Sequence, residues 1–481
     1  MFRITKDCFM RNPTSDTPPP EKETAAATPP PKEAFPLSFW SANVTELFER
    51  GAYYAMASFV VLYLGQLGLG DYWPSTLNGI LWTLVYFLPI LSGTIADQVG
   101  FRRSLLAAFV MLSIGYFLMG YPVWFGGETL YDMVGSEVTA GAGVIVPVVI
   151  GILIIGMGGS VIKPCISGTV QKTAGARATL AFAIFYMVVN IGSLVGRGIS
   201  YIVRTSYDLS FIFAVAVGCS IVAFLVVLFM YRDTEEDVAA RRERKKHQRS
   251  VGQILLDMIF VLKNGRFALF LVVSSGFFFI YSQVYNVIPL YLKKVVETDP
   301  AVDIYTMANP FTIVFFQLLI TKLFGKMKPI SSIIVGIIII GASMLINIIP
   351  IYAGGVRMEV WDLLPLGALF ATLTVAMIAF GELFTSARTY EYIGALAPKG
   401  KEGLFLGYAN LPMAIGSLIG GPAGAAIFNE IMCTNAVKLD NGLLELDPTW
   451  NALGWIVLMS IGFVSALSMW LYNRWLRKQV Q

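Results

Sequence analysis

The chain has 481 residues, of which 56% are hydrophobic and only 14% charged, with a mean hydropathy of +0.68. A soluble domain averages about 25% charged residues, so this composition excludes an ordinary soluble globular protein and indicates a polytopic membrane protein. The excess of base over acid is only +4, which is no signal for nucleic-acid binding.

Residues 1–37 are rich in Pro, Thr, Ala and Glu and read as a disordered tail that cannot bury a core. The tail lacks the basic start and apolar centre of a signal peptide, so the first crossing is expected to target the chain itself. Apolar runs long enough to cross a bilayer lie near 40–66, 75–97, 103–122, 144–169, 179–203 and 209–231. After a basic break they resume near 267–292, 304–325, 330–351, 362–388, 403–429 and 451–473. Twelve crossings are therefore expected. They divide into a six-helix bundle over 38–231, a basic linker over 232–266, a second six-helix bundle over 267–473 and a short tail over 474–481. Lys and Arg concentrate after the even-numbered spans, with Lys293 and Lys294 as the main exceptions, whereas the loop from Tyr121 to Gly143 has none. The positive-inside rule then places both termini in the cytoplasm of a cell that carries the protein in its plasma or inner membrane.

The first span carries Glu46, Glu49, Arg50, Tyr53 and Tyr54 at positions i, i+3, i+4, i+7 and i+8. On a helix these share one stripe. Each charge at mid-bilayer costs about 2.5–3.5 kcal/mol even on the lenient scale, so the stripe is expected to face a wet cavity and not lipid. Lys163 and Glu382 raise the same demand in spans four and ten. The cysteines Cys8, Cys165, Cys219 and Cys433 show neither pairing nor metal spacing. The only histidine, His247, falls in the basic break, so proton handling must rest on carboxylates. No metal site, cofactor site, phosphate-binding loop or nucleophile–base constellation is visible, and the chain is not expected to be an enzyme.

After span two the chain reads GTIADQVGFRR, with Gly93, Asp97, Gly100, Arg102 and Arg103 at the spacing of the loop motif of the major facilitator superfamily. ELFERGAYY (46–54), GGSVIKPCIS (158–167), FYMVVNIGS (185–193), GELFTS (381–386) followed by Ala397-Pro398, and Asn309-Pro310 resemble, in order, motifs of the proton-dependent oligopeptide transporters of that superfamily. The resemblance implies two bundles around a central cavity and uptake of di- and tripeptides with protons by alternating access, in a monomer embedded in the lipid bilayer. It assigns Glu46, Glu49, Arg50 and Lys163 to a proton-linked salt-bridge cluster. It assigns Arg50, Tyr53, Tyr54, Tyr86, Lys163, Asn190, Asn309, Glu382 and Ser386 to the substrate site, with Lys163 and Arg50 toward the peptide carboxylate and Glu382 toward its amino group. The loop residues Gly93 to Arg103 would act in the conformational change.

Three features depart from that pattern. Ser282 stands where the family carries a seventh-helix Glu associated with gating and proton transfer. Arg197 lies within a long apolar run, where it would either sense an anionic group or reach the outer interface. Arg388 and Glu391 sit i, i+3 at the inner end of span ten and are expected to pair. The Ser282 and Arg197 departures keep a second reading open, a carrier for another small zwitterion or anion without proton coupling, and the tail and basic linker alone support a third, a non-transporting receptor or scaffold.

Overall fold

The computed structural model describes residues 34–134, 138–174, 177–233, 252, 262–396 and 408–480. From Pro36 onward these form one compact unit. Helices dominate because long apolar segments leave no water to satisfy their backbone groups, and a helix satisfies them internally. In chain order the main helices are α1 (Leu37–Ala57), α2 (Val60–Gln66), α3 (Trp73–Phe87), α4 (Pro89–Val99), α5 (Phe101–Trp124), α6 (Ala142–Thr173), α7 (Ala178–Ser206) and α8 (Phe211–Phe229). They continue with α9 (Gly265–Tyr281), α10 (Ala308–Phe324), α11 (Pro329–Ser343), α12 (Leu366–Leu396), α13 (Leu411–Ala426) and α14 (Pro448–Val480). Short helical turns extend α9 to Val296, α11 to Tyr352 and α13 to Met432, and begin the α10 span at Val302.

All twelve expected crossings coincide with helical structure, although the part of span eleven before Tyr408 lies outside the described residues, as do most of the basic linker, His247 and Ala397-Pro398. Among the described residues, ten spans are long and apolar enough to cross a membrane, and an eleventh is made by α3 and α4 together, bent by 46°. Pro89 opens α4 at that bend. The first span, built from α1 and α2, falls short of the apolarity of the others because it carries Glu46, Glu49 and Arg50. Span ten starts at Leu366, later than expected, since Glu359–Val360 and Leu364–Pro365 pair as an antiparallel hairpin before it. A second such hairpin joins Val437–Lys438 to Leu444–Glu445.

In the first half, α1 packs on α7 and α8, and α5 packs on α6 and α8. In the second half, α9 packs on α13 and α14, and α11 packs on α12 and α14. The two halves meet most extensively where α3 lies against α13. Glycines permit that approach: a methyl group at Gly79 would sit 2.6 Å from the Ser417 carbonyl oxygen, and one at Gly421 would overlap Ser75. Gly196 plays the same part inside the first half, where a methyl group would overlap the backbone of Gly51 on α1. In the loop motif, a methyl group at Gly93 would sit 3.2 Å from Pro164 Cβ, and Gly100 turns the chain between α4 and α5 with φ of 106°. Arg102 then donates to the Leu228 carbonyl at 2.7 Å, tying α5 to the end of α8. Asp97 lies in the last turn of α4, and Arg103 is exposed in the first turn of α5. Arg388 pairs with Glu391 at 2.6 Å and also donates to the carbonyls of Phe324 and Gly325, which caps α10.

Gly218, on α8, has open space around the same position. Gly196→Ala is expected to destabilise the fold by ~1–3 kcal/mol through overpacking, while Gly218→Ala is neutral or stabilises by up to ~1 kcal/mol through helix propensity. Thermal unfolding of the detergent-solubilised chain reads both; a loss of similar size at the two positions would contradict this contact geometry.

Candidate functional site: a cavity between the two halves

A cavity of about 290 Å³ lies between the halves. Its wall includes Tyr54, Tyr86, Lys163 and Asn190 from the first half and Asn309, Glu382 and Ser386 from the second. Seven of the residues singled out in the sequence thus share one chamber. Tyr186, Ser193, Tyr281, Thr389, Tyr390 and Asn410 complete its polar lining. Tyr186 was within reach of sequence reasoning, since it lies i−4 to Asn190 and its carbonyl accepts from the Asn190 amide at 2.8 Å.

The Lys163 ammonium sits 5.7 Å from the centre of the Tyr86 ring. Among the described residues no carboxylate lies within salt-bridge distance of it; Glu382 lines the same chamber from the other half. Local structure explains how Lys163 is presented. Pro164 lacks an N–H, so the Ser160 carbonyl one turn earlier has no helical donor; the Ser92 hydroxyl of α4 donates to it at 2.8 Å. On the opposite wall, the Ser386 hydroxyl donates to Glu382 Oε1 at 3.4 Å. Glu382 Oε2 and Asn309 Nδ2 are both buried without a well-formed hydrogen bond, although the Asn309 side chain lies next to the Glu382 carboxyl. Such unsatisfied groups carry a cost of about 1–3 kcal/mol each, which a polar ligand can relieve.

The charged stripe of the first span behaves differently from expectation. Tyr54 alone of its five residues lines the cavity. Glu46, Glu49, Arg50 and Tyr53 are buried in protein. Arg50 donates to both oxygens of Glu49, with Nη2–Oε1 at 2.6 Å and a short Nε–Oε2 contact, while Glu46 Oε1 stands 3.5 Å from Arg50 Nε. Internal pairing, not water, offsets the burial of these charges. Lys163 makes no salt bridge to this cluster, although Glu46, Glu49 and Arg50 all act on it electrostatically. Tyr53 packs its ring on Trp82, which also contacts Tyr86, Tyr281 and Tyr285, so an aromatic group from both halves covers one end of the chamber.

Beyond that group the halves are bound together. Arg197 is fully buried and does not reach the outer interface. It donates to the hydroxyls of Ser193, Thr306 and Tyr285, the latter two at 3.2 Å from the other half, and its guanidinium lies 4.6 Å from the Tyr54 ring centre. Among the described residues no carboxylate pairs with it. Further out, Arg204 binds Asp299 at 2.7 Å, Lys294 binds Asp71 at 2.7 Å, and the Tyr72 hydroxyl donates to Glu430 at 2.7 Å. Lys294, an exception to the charge asymmetry, is thus neutralised by a partner across the halves. In the loop between these pairs burial lifts the Glu297 carboxyl above its usual range, while the donating Tyr305 hydroxyl acts in the opposite direction. Ser282 faces α13, its hydroxyl donating to the Phe279 carbonyl at 2.7 Å, next to Gly420.

The family model of the Major Facilitator Superfamily matches residues 133–420. This chain belongs to that superfamily. It is similar to the dipeptide and tripeptide permease B of Aliivibrio fischeri (strain MJ11), 28% identical over 200 residues that cover 40% of this chain and 36% of that protein. It is also similar to the dipeptide and tripeptide permease A of Citrobacter koseri, 24% identical over 450 residues that cover 80% of this chain and 83% of that one. The match spans about a third of the length of the first-matched relatives, from 25% to 40%. Among solved structures, the peptide transporter POT in complex with sulfate superposes with a TM-score of 0.68 at 17% identity, covering 92% of this chain and 96% of the other. A POT family transporter in complex with 5-aminolevulinic acid gives 0.68 at 19% identity, covering 91% and 96%. The fold is therefore the all-α, multi-pass major facilitator fold.

The Arg50 cluster predicts an asymmetry. Glu49→Ala is expected to destabilise the fold by ~3–5 kcal/mol, because it strips the close partner from a buried guanidinium, whereas Glu46→Gln costs roughly 1 kcal/mol. Thermal unfolding in one detergent separates them; equal losses would show that Glu46 is the principal partner.

Proposed function

We propose that the protein is a secondary carrier of the oligopeptide-transporter type, taking up di- and tripeptides with protons by alternating access. The observation that carries this reading is the chamber with the Lys163 cation on one wall and the Glu382 carboxylate on the other. A dipeptide is a zwitterion with its ends roughly 6–7 Å apart. It would set its carboxylate toward Lys163 and its amino group toward Glu382, Asn309 and Ser386. Ligand pockets commonly run from about 300 to 1,000 Å³, so a chamber of about 290 Å³ suits a small solute. Tyr54, Tyr86 and Asn190 supply further walls, while Arg50 and Tyr53 act from behind them. The permease names of the relatives support the same cargo.

In this reading the units 38–231 and 267–473 are two six-helix bundles that rock about the chamber, and the loop residues Gly93, Asp97, Gly100, Arg102 and Arg103 act at the inner face. The joined end is the outer one, both termini are cytoplasmic, and a monomer resides in the plasma or inner membrane. Proton uptake by Glu46 or Glu49 would loosen Arg50, and uptake by Glu382 would weaken its hold on the substrate amine. A membrane potential of 100 mV contributes about 2.3 kcal/mol per proton charge, enough to drive accumulation. One observation favours a second reading, an uncoupled carrier for a zwitterion or anion: Ser282 gives the seventh-helix position no titrating group. The receptor reading rests on the tail and linker alone.

Uptake of a labelled dipeptide into proteoliposomes, with and without an inward pH gradient, tests the proposal. Gradient-stimulated uptake that Lys163→Ala or Glu382→Ala abolishes is expected. Uptake indifferent to the gradient would favour the uncoupled carrier, and no uptake of any zwitterion by the wild type would overturn transport itself.

Arg197 holds the outer end closed through hydroxyls that do not titrate between about pH 5 and 8. Arg197→Gln is expected to raise the outward-open population roughly tenfold, the equivalent of ~1.4 kcal/mol. Distance measurement between spin labels on the exposed turns at Gly70 and Asp440 would show this as a longer component, present at the same level at both pH values. An unchanged distance distribution would remove Arg197 from the gate.

A further inference from the structure

A second cavity, of about 450 Å³, opens at the other end of the molecule, between α11 and α14. It is lined by Ser331, Ile334, Trp470, Asn473, Arg474 and Arg477. Trp470, Asn473, Arg474 and Arg477 stand at i, i+3, i+4 and i+7 on the last three turns of α14, so they share one face. The Arg474 guanidinium lies 5.5 Å from the Trp470 ring centre. Among the described residues, neither Arg474 nor Arg477 has a carboxylate within salt-bridge distance. Ser331 belongs to the first turn of α11, whose positive end faces the same space. The cavity therefore offers two planar cations, a hydroxyl and an amide, with no anion among the described residues that line it.

The walls on the membrane side are apolar. Ile334 closes the cavity there, and Ile338, Val464 and Leu467 continue from it as exposed side chains, with Leu467 at 55% and Val464 at 62%. A soluble phosphate would leave this strip uncovered. A phospholipid matches both parts, with its phosphate on the arginine pair and its acyl chains along the strip. Trp470, exposed between them, is of the residue type that anchors proteins at membrane interfaces.

We infer that this cavity is a binding site for the headgroup of an anionic phospholipid. The site is separate from the chamber between the halves and does not depend on what that chamber carries. Native mass spectrometry tests it on the full chain released from phosphatidylcholine bilayers that contain a minority of phosphatidylglycerol. The wild type is expected to retain one phosphatidylglycerol per chain, and the Arg474→Gln/Arg477→Gln double variant to retain roughly tenfold less. Lys478→Gln, which removes a neighbouring charge outside the cavity, is expected to leave retention unchanged. Equal retention by wild type and double variant would overturn the site. Loss of equal size in Lys478→Gln would reduce it to diffuse surface charge, and displacement of the lipid by millimolar inorganic phosphate would make it an ion site instead.

Discussion

The arrangement of this protein follows from the cost of holding charge in a medium that does not solvate it. The first helix carries three ionic groups within five residues, Glu46, Glu49 and Arg50. They are tolerated because the guanidinium satisfies one carboxylate at both oxygens and leans on a second. Once these three are enclosed, two ionic groups remain to face the chamber, Lys163 and Glu382, and they come from opposite halves. The polar character of the cavity is thus what remains after internal pairing.

The two ends of the chamber are built on different chemistry. At the joined end, side chains from both halves meet in hydroxyl, amide and ion-pair contacts, and Gly79 and Gly421 let the α3 and α13 backbones touch. These are local, short-range contacts that separate when the halves part. The helix pairs within each half are packed mainly through broad apolar faces, to which hydrogen bonds such as Ser92–Ser160 and Arg102–Leu228 are added. Relative motion of the halves is accordingly easier to accommodate than rearrangement within either one.

Much of this could be read from the sequence. Span positions followed from apolar length, whereas the bend inside span two, where Pro89 opens α4, emerged only from the structure. The chamber residues on separate helices, Lys163, Asn190, Asn309 and Glu382, were recognisable because each is costly or polar within an apolar run. What the sequence could not reveal was which member of a polar stripe faces the cavity. Helical spacing gave Glu46, Glu49, Arg50, Tyr53 and Tyr54 one face, but Tyr54 alone reaches the chamber, since the rotation of α1 is fixed by its packing on α7 and α8. Arg197 escaped for a related reason. Its partners are Ser193, Thr306 and Tyr285, and hydroxyls distributed over three segments leave no charge pattern for sequence to display.

The proline beside Lys163 has a mechanical implication. A regular helix resists flexing because each turn is stitched to the next by its own amides. At Ser160 that stitch is supplied from outside, by the hydroxyl of Ser92 on α4. Whatever shifts α4 therefore tugs directly on the stretch of α6 that carries the chamber's cation, and the loop motif at the far end of α4 acquires a lever arm reaching into the middle of the membrane.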